Sequence, residues 1–404
     1  MTREIFTGNF TQTDPLPPEA EAAALAVMRS GRLHRYAEAP GEVCEVSLLE
    51  REFAAWAGAR HALAVASGGY ALATALRALG VGPGDKVLTN AFTLAPVPGA
   101  IASLGAVPVF VGVTEALVID LDDLAARAGE ARVLLLSHMR GHIADMDRLM
   151  EICDAAGIAV VEDCAHTLGA RWNGVLSGRH GVIGAYSTQS YKHLNSGEGG
   201  LLVTDDADLA AKMILLSGSY MFYERHGAAP PREAFEAARY DMPNISGRMD
   251  NLRAAVLRPQ LATLGARCAG WNARYRAVEA GLRGTPGLTL IDRPEAEDYV
   301  MSSFQFLLLD WAGEAVRAVV DRCRARGVEL KWFGASEPHG FTSRYSHWRY
   351  TATDPMPQSD RVLAGLIDMR LPLAFSIEDC TLIARILREE VTACAAGKAP
   401  SKAL

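Results

Sequence analysis

The stretch YSTQSYKHLNSGEGGLLVTDD (residues 186–206) places Lys192 in a loop of small residues between two apolar runs. The run before the loop is GVIGAYST (residues 181–188), and the run after it is GLLVTDD (residues 200–206). The stretch between the two runs does not form a full helix pattern. We therefore predict a hairpin-like pair of strands, at least one of which runs antiparallel to its neighbours.

Five further apolar runs lie upstream, and helix-like stretches separate them. Several of these runs show no alternation of polar and apolar residues, which is typical of strands covered on both faces. They are HALAVAS, DKVLTN, AVPVFVGV, ARVLLLSHM and GIAVVEDCA, between residues 61 and 165. Together with the hairpin they predict a mainly parallel, seven-stranded sheet in an α/β layer architecture.

From about residue 265 the pattern changes to a small α+β set. Its predicted strands and helices cover residues 300–310, 313–327, 327–334 and 377–394. The length of 404 residues also favours two domains. We predict a large domain with an N-terminal arm over residues 1–264 and a smaller C-terminal α+β domain over residues 265–404.

The composition disfavours several classes of function. The formal net charge of −7 gives no net field that would hold nucleic acid or an anionic membrane. No segment approaches the roughly 20 apolar residues that span a bilayer, and the N-terminus lacks an apolar core of signal-peptide length, so we expect a cytoplasmic protein. The seven cysteines include no CxxC pair, so neither a disulfide framework nor a metal site is expected.

Lys192 has two interpretations. A single lysine is most often a solvated surface group. The alternative is a nucleophilic amine that forms a Schiff base, which needs a partly desolvated strand edge and room for a flat ligand. The serine and glycine neighbours of Lys192 provide that room.

Asp163 ends the apolar run GIAVVEDCA. Acidic residues at the carboxyl ends of parallel strands face the crevice in which α/β sheets bind ligands. A helix N-cap or a loop carboxylate is an equally good interpretation of this residue alone. A buried carboxylate aimed at a pyridinium nitrogen would keep such a ring protonated, and so keep it an electron sink.

The segment ASGGYAL (residues 66–72) joins the first strand to a helix. Backbone N–H groups at a helix N-terminus form an anion site, and glycine lets a phosphate approach closely. Gly-Gly turns are common, so this signal is weak by itself. The order of a Gly-rich helix start, then Asp163, then Lys192 after 29 residues describes a phosphate cup, a ring-nitrogen partner and an imine lysine.

The sequence resembles the DegT/StrS-type sugar aminotransferases, which are fold type I enzymes dependent on pyridoxal 5'-phosphate (PLP). The resemblance covers nearly the whole chain, from SGRL (residues 30–33) to MRLPLAF (residues 369–375). Its most specific motifs are VEDCAHTLGA (residues 161–170) and the stretch over residues 186–206. The latter is similar to members that act on keto-cyclitols and related rings.

The resemblance assigns roles to three residues around the cofactor ring. Lys192 matches the lysine that forms the Schiff base with PLP and moves the proton between the substrate carbon and the cofactor. Asp163 matches the partner of the pyridinium nitrogen. His166 falls where the family has Gln or His beside the cofactor, although a lone histidine is otherwise more often structural.

The resemblance also implies a set of phosphate contacts. Ser187 matches a serine that hydrogen-bonds the phosphate, and the amides of Gly69 and Tyr70 match the phosphate-binding turn. Arg248 falls where the family places an Arg or Asn that reaches the phosphate from the neighbouring subunit. A homodimer with composite active sites is therefore implied.

Three departures from the family pattern concern the substrate more than PLP. Gly69 stands where the family usually has Thr, so only backbone donors are left at that point. The aromatic residue that normally stacks on the ring is Leu94, and Phe92 is a candidate substitute. Arg140 in HMRGH replaces the tyrosine of an HLYG-type motif and adds a cation near the substrate mouth.

The resemblance thus implies a PLP-dependent aminotransferase. It would move an amino group from glutamate or glutamine to a keto-sugar, expected to be nucleotide-linked, or to a keto-cyclitol. Two alternatives stay open. One is a PLP-dependent dehydratase or lyase on the same fold, which Lys192 disfavours because related sugar dehydratases carry histidine there. The other is a PLP-binding regulatory protein without turnover.

Overall fold

The computed structural model describes residues 3–219, 221–340 and 342–395. The helices in this part of the chain are α1 (Pro18–Ser30), α2 (Glu45–Ala57), α3 (Gly68–Ala78), α4 (Pro96–Ala102), α5 (Leu121–Arg127), α6 (Met146–Ala156), α7 (Ala207–Leu216), α8 (Arg232–Ala238), α9 (Asn251–Leu282), α10 (Gly313–Ala325), α11 (Pro357–Gly365) and α12 (Ile377–Ala395). Among these helices none combines the length and the apolar character that crossing a membrane requires.

The strands are short, and most have five residues. They are β1 (His61–Val65), β2 (Lys86–Asn90), β3 (Val107–Val111), β4 (Val133–Ser137), β5 (Ala159–Asp163), β6 (Arg171–Trp172), β7 (Val175–Leu176), β8 (Ile183–Ser187), β9 (Gly200–Thr204), β10 (Thr289–Leu290), β11 (Glu297–Asp298), β12 (Ser303–Leu307), β13 (Lys331–Trp332) and β14 (Leu366–Arg370).

The large sheet has seven strands in the order β1-β9-β8-β5-β4-β2-β3. The strands from β8 to β3 in this order pair in parallel, whereas β9 is antiparallel to both of its neighbours, β8 and β1. All seven strands coincide with the predicted apolar runs. The mainly parallel sheet and the antiparallel member of the β8–β9 pair are therefore confirmed.

Both faces of this sheet are covered, as the unbroken apolar runs predict. The strand β4 is buried at every position. Alternate residues of β1 point to opposite layers, with Leu63 and Val65 packing towards α3 and α7, and Ala62 and Ala64 towards α2 and α9. Because both faces are closed, a ligand of the sheet has to approach at the carboxyl ends of the strands.

The helices on the sheet begin at residues that suit an N-cap. The side chains of Ser67, Asp120, Asp145, Asp206 and Asp250 each accept a hydrogen bond from a backbone N–H in the first turn of the helix that follows. Such caps satisfy backbone donors that would otherwise lack a partner. Ser67 in this way fixes the start of α3 at the carboxyl end of β1.

A second, four-stranded antiparallel sheet has the order β10-β12-β14-β13 and packs against α9, α10 and α12. The predicted strands over residues 300–310 and 327–334 correspond to the shorter β12 and β13, and both predicted helices are present as α10 and α12. The strand β14 lies between β12 and β13 and was not predicted, because polar Asp368 and Arg370 interrupt its apolar residues.

The helix α9 connects the two sheets. It runs without interruption from Asn251 to Leu282, so the predicted boundary between residues 264 and 265 falls inside it. The N-terminal arm packs on the C-terminal part of the chain, where Phe6 and Phe10 contact Phe375 edge to face, each at 5.0 Å between ring centroids. The division into two domains stays a prediction.

Candidate active site

The carboxyl ends of β4, β5 and β8 surround a cavity of about 390 Å³. The residues that line it come from strand ends, from the start of α3 and from the loop after β8. They are Ser67, Gly68, Gly69, Leu72, Leu94, Pro96, Val97, Ser137, Met139, Asp163, Ala165, His166, Ala185, Tyr186, Ser187, Gln189, Lys192 and Glu198. Five of the seven residues that the sequence assigned to the site therefore share one cavity.

Lys192 lies in the loop between β8 and β9, and its side chain turns back over the strand ends. Its Nζ is 3.0 Å from Nε2 of His166. Burial lowers the pKa of Lys192 to about 7, the positive charges of Arg140 and Arg370 act in the same direction, and the carboxylate of Asp163 opposes them. Lys192 is thus held as an amine that exchanges a proton near neutral pH.

Two glycines of the SGEGG segment, Gly199 and Gly200, permit close packing. A Cβ at Gly200 would lie 2.5 Å from the Ser67 oxygen, and one at Gly199 would collide with the Thr188 hydroxyl. Only glycine lets the start of β9 approach the start of α3 so closely. A Cβ at Gly197 would meet nothing within 4 Å, and the expectation that the small residues make room for a flat ligand stays a prediction.

Asp163 is buried at the end of β5. Its Oδ1 accepts a hydrogen bond from the Ala165 backbone N–H at 3.1 Å, and its Oδ2 accepts one from the Ser137 hydroxyl at 3.3 Å. Burial raises the pKa of Asp163, and the charge of Lys192 and the Ala165 amide act against that rise. A cation placed against this carboxylate would stabilise its ionised form.

A hydrogen-bond network that the sequence did not reveal holds Asp163 in place. The Thr93 hydroxyl donates to the Ser137 hydroxyl at 2.8 Å, and Ser137 in turn reaches Asp163. The Asn90 side chain bonds the backbone of Ser137 in both directions, at 2.9 and 3.0 Å. The available signal was that Asn90 and Ser137 end β2 and β4, beside Asp163 on β5.

His166 contacts Lys192 on the side of the cavity away from the sheet. Burial, followed by the charges of Lys192 and Arg140, holds the pKa of His166 well below its usual range. A neutral imidazole can accept a hydrogen bond from the Lys192 ammonium through Nε2. His166 therefore positions the lysine side chain in this structure.

The start of α3 and the end of β8, for which the sequence predicts a phosphate cup, lie against each other. A Cβ on Gly68 would lie only 2.8 Å from Cβ of Ser187, so the glycine permits this close contact. At Gly69 a Cβ would meet only Pro96, at 3.9 Å, and so the cup is open on that side. The helix N-terminus faces this space with backbone donors and the positive end of its dipole.

Tyr70 and Arg248 lie next to the cup, and neither lines the cavity within the part of the chain described. The Tyr70 N–H donates to the Ser67 hydroxyl at 3.1 Å, and its phenol donates to the carbonyls of Leu216 and Ile245. Arg248 donates to the Gly218 carbonyl at 2.6 Å. The phosphate contacts predicted for both residues stay predictions.

The structure separates the two candidates for the residue that covers the cofactor ring. Leu94 and Pro96 line the cavity. Phe92 is 1% exposed and packs edge to face on Phe333, with 5.4 Å between the ring centroids. Phe92 belongs to the core, whereas Leu94 lines the cavity, and its contact with a cofactor ring stays a prediction.

A second cavity of about 340 Å³ adjoins the first and shares Leu94, His166, Gln189 and Lys192 with it. The remaining lining residues come from the N-terminal arm, the turn after β4 and the small sheet. They are Phe10, Thr11, Arg140, Tyr191, Ser302, Ser303, Glu329, Lys331 and Arg370. Arg140 therefore lies beside Lys192, as expected for a cation near the substrate mouth.

One buried cluster behind the site has the composition of a metal centre. Ligand atoms of His138, Glu162 and Cys164 lie within 4.8 Å of one another. Glu162 already accepts hydrogen bonds from His138 and from three backbone N–H groups of the turn over residues 178–181. The cluster thus anchors that turn to β5, and the expectation that the protein has no metal site stays a prediction.

Known proteins share both the sequence and the fold. The chain is 36% identical over 285 residues to a dTDP-3-amino-3,4,6-trideoxy-alpha-D-glucose transaminase from Streptomyces venezuelae, a match that spans 69% of each chain. It is 31% identical over 349 residues to a putative L-glutamine:3-amino-2,3-dideoxy-scyllo-inosose aminotransferase from Streptoalloteichus tenebrarius, spanning 82% of this chain and 80% of the relative.

The crystal structure of 3-amino-5-hydroxybenzoic acid synthase superposes with a TM-score of 0.82 and 26% identity, covering 97% of this chain and 100% of that one. This likeness confirms the predicted fold class. Residues 19–388 match the sequence profile of a family of PLP-dependent aminotransferases. The chain belongs to the DegT/DnrJ/EryC1/StrS aminotransferase family.

Proposed function

We propose that this aminotransferase binds PLP in the cavity at the carboxyl ends of β4, β5 and β8. It would take an amino group from glutamate or glutamine and pass it to a ketone on a nucleotide-linked sugar or on a cyclitol. The observation that carries the proposal is the convergence of Lys192, Asp163 and the N-terminus of α3 on one cavity. Relatives that act on a dTDP-sugar and on an inosose support this choice of acceptor.

The residues present fit the cofactor. A lysine amine, a buried carboxylate and a glycine-lined helix N-terminus are the groups that an aldehyde, a ring nitrogen and a phosphate require. The open side of Gly69 leaves space for the phosphate next to Ser187. The missing threonine hydroxyl at Gly69 leaves backbone donors and Ser187 to hold it.

When bound, PLP withdraws electrons from the substrate carbon that carries the nitrogen, and so makes its proton removable. Lys192 would accept and return that proton, since an amine with a pKa of about 7 is effective as a base near neutral pH. Asp163 would hold the ring nitrogen, because burial makes its carboxylate favour a cationic partner. Leu94 would exclude water from the face of the ring.

We also propose a homodimer with composite active sites. Large apolar side chains are exposed in the segment between α7 and α9, including Met221 (61%), Tyr240 (83%) and Ile245 (62%). A patch of this kind favours a protein interface. Arg248 lies near the end of this segment and would supply the contact to the phosphate in the partner's site.

A single-turnover experiment tests the proposed reaction. PLP-loaded protein is mixed with glutamate or glutamine, and the loss of its visible absorbance is followed together with the formation of pyridoxamine phosphate. Addition of keto-sugar nucleotides or keto-cyclitols should then restore the absorbance and yield the amino product. Consumption of a sugar without any transfer of nitrogen would instead indicate a dehydratase, and loading without turnover would indicate a regulatory protein.

A further inference from the structure

One wall of the second cavity is rich in positively charged side chains. Arg140, Lys331 and Arg370 line it together with Lys192, and Glu329 is the one acidic residue of the described chain in that lining. Glu329 precedes β13 and Lys331 begins it, and together these two side chains add no formal net charge to the lining. The positive charges of Arg140 and Arg370 therefore need a separate explanation.

Arg140 is held by its backbone and by one carboxylate. Its φ is 58° in the turn after β4. Residues other than glycine rarely adopt this conformation, so the surrounding structure has to hold the Arg140 backbone in place. Its guanidinium is 3.2 Å from Oδ2 of Asp368, and Asp368 also accepts a hydrogen bond from the Gln305 amide at 2.6 Å. Burial still lowers the pKa of Arg140, because Asp368 offsets only part of the cost.

Arg370 lies two residues after Asp368 on β14, and therefore on the same face of the strand. Its guanidinium stacks on the ring of Tyr191, 3.8 Å from the centroid. Across the part of the chain that the structure describes, it forms no ion pair with a carboxylate. Asp14 is another acidic residue near Arg370. Its carboxylate is paired with Arg267 at 3.4 Å.

The charges in this wall do not cancel. One carboxylate, that of Asp368, faces the two guanidinium groups of Arg140 and Arg370. The repulsion between the two arginines contributes to the lowered pKa of Arg370, after burial. An anion with a single charge would balance this wall, whereas a phosphate dianion would exceed it. A planar guanidinium stacked on an aromatic ring presents two parallel donors, which match a carboxylate.

We propose that Arg370 and Arg140 form a subsite that binds a substrate carboxylate beside Lys192. This inference rests on the proposed function, because it takes the second cavity to be the substrate side of the site. A carboxylate can come from two sources, the amino acid that donates nitrogen and a ring acceptor that carries a carboxyl group. The relative that makes 3-amino-5-hydroxybenzoic acid shows that a carboxylated ring is compatible with this fold.

Binding of two unreactive ring compounds tests the subsite directly. The probes are 3-hydroxybenzoate and 3-hydroxybenzyl alcohol, which share a ring and a hydroxyl and differ in the carboxylate. Isothermal titration calorimetry of the PLP-loaded protein should show that the benzoate binds at least about tenfold more tightly, as expected for a charge-assisted hydrogen bond. Arg370→Gln should abolish this preference, and Arg370→Lys should retain part of it.

Two further variants guard against misfolding and indirect effects. Arg132→Gln is the matched control. Arg132 precedes β4 at the amino ends of the strands, away from the cavity, and its side chain is 62% exposed. The paired change Arg140→Gln with Asp368→Asn removes one guanidinium without leaving a buried carboxylate unpaired, and it should weaken the preference without abolishing it, because Arg370 and the net charge of the wall are retained. Equal binding of the two probes by the wild type, or an unchanged preference in Arg370→Gln, overturns the proposal.

Half-reactions identify the source of the carboxylate. If Arg370→Gln raises the half-saturating concentration of glutamate or glutamine, the donor uses the subsite. If it raises that of a carboxylated keto ring and not that of a neutral one, the acceptor uses it. Unchanged values in both half-reactions contradict the subsite. A wild type that shows the binding preference but never transfers nitrogen would contradict the proposed function alone.

Discussion

The Nζ of Lys192 lies 3.0 Å from Nε2 of His166, inside a site where Arg140 and Arg370 add positive charge. Both arginines disfavour a positive charge on Lys192, and burial is the largest contribution to the lowered pKa of the lysine. Asp163 is the group that works in the opposite direction. The chemistry of the lysine is therefore set by residues from both sheets.

The first prediction concerns the protonation of Lys192 in cofactor-free protein. Its folded pKa of about 7 lies below the ordinary lysine value of 10.5, so between these two pH values the folded protein binds one proton fewer than the unfolded chain at this site. The contribution of Lys192 to the free energy of unfolding therefore increases as the pH rises from about 7 to 10.5. Labelling of Lys192 with a limiting amine reagent, followed by mass spectrometry, should show a midpoint near pH 7. A midpoint near 10.5 would contradict the environment described.

Arg370→Gln should move the same midpoint upwards. The variant removes a positive charge that lowers the pKa of Lys192, while burial, Arg140 and Asp163 are unchanged. The labelling curve of this variant is compared with that of Arg132→Gln, whose midpoint should equal that of the wild type. An identical midpoint in Arg370→Gln would mean that this arginine is too far from the lysine, or too well screened, to affect it.

Asp163→Asn should reduce turnover strongly while the fold persists. Asparagine keeps a similar shape and an acceptor for the Ala165 N–H, but it cannot carry the charge that holds a protonated ring. The loss in kcat should be about 10²-fold or more, within the range that positioned acid–base groups contribute. Asp154→Asn on the exposed side of α6 is the control. Turnover within a few-fold of the wild type would remove Asp163 from the proposed chemistry.

The two adjacent glycines at the start of α3 should respond in opposite ways. Gly69→Thr has space, because its Cβ meets only Pro96 at 3.9 Å, and it should tighten PLP binding by supplying a hydroxyl to the phosphate. Gly68→Ala forces a Cβ to within 2.8 Å of Cβ of Ser187 and should cost about 1–3 kcal/mol in stability. Thermal unfolding and PLP titration measure both. Tighter PLP binding in Gly68→Ala than in Gly69→Thr would contradict the cup as described.

Much of the sheet could be predicted from the sequence because its strands are buried on both faces. The unbroken apolar runs marked all seven strands, and the short link around Lys192 marked the antiparallel β9. Strand β14 could not be predicted in this way, since buried Asp368 and the cavity-lining Arg370 break the apolar run. The polar residues of this buried strand belong to the site. In the sequence alone, their pattern is typical of a loop.

The sequence could predict those parts of the candidate site whose chemistry requires a particular type of residue. Lys192, Asp163 and Ser187 lie together, since each ends or follows a neighbouring strand. The support of Asp163 by Ser137 and Thr93 was not predictable, because it depends on strands distant in sequence lying side by side. The sequence predicts that the glycines after Lys192 leave space for a ligand, and it does not reveal that Gly200 is also required by its contact with Ser67.

The account depends most on Lys192 as the residue that holds PLP. Reduction of the PLP-loaded protein with borohydride, followed by proteolysis and mass spectrometry, locates the covalent attachment. We predict that the phosphopyridoxyl group is found on the peptide that contains Lys192, and that Lys192→Ala loses both the label and the visible absorbance. Attachment to another lysine, or a Lys192→Ala protein that keeps its absorbance and turnover, would contradict the central claim.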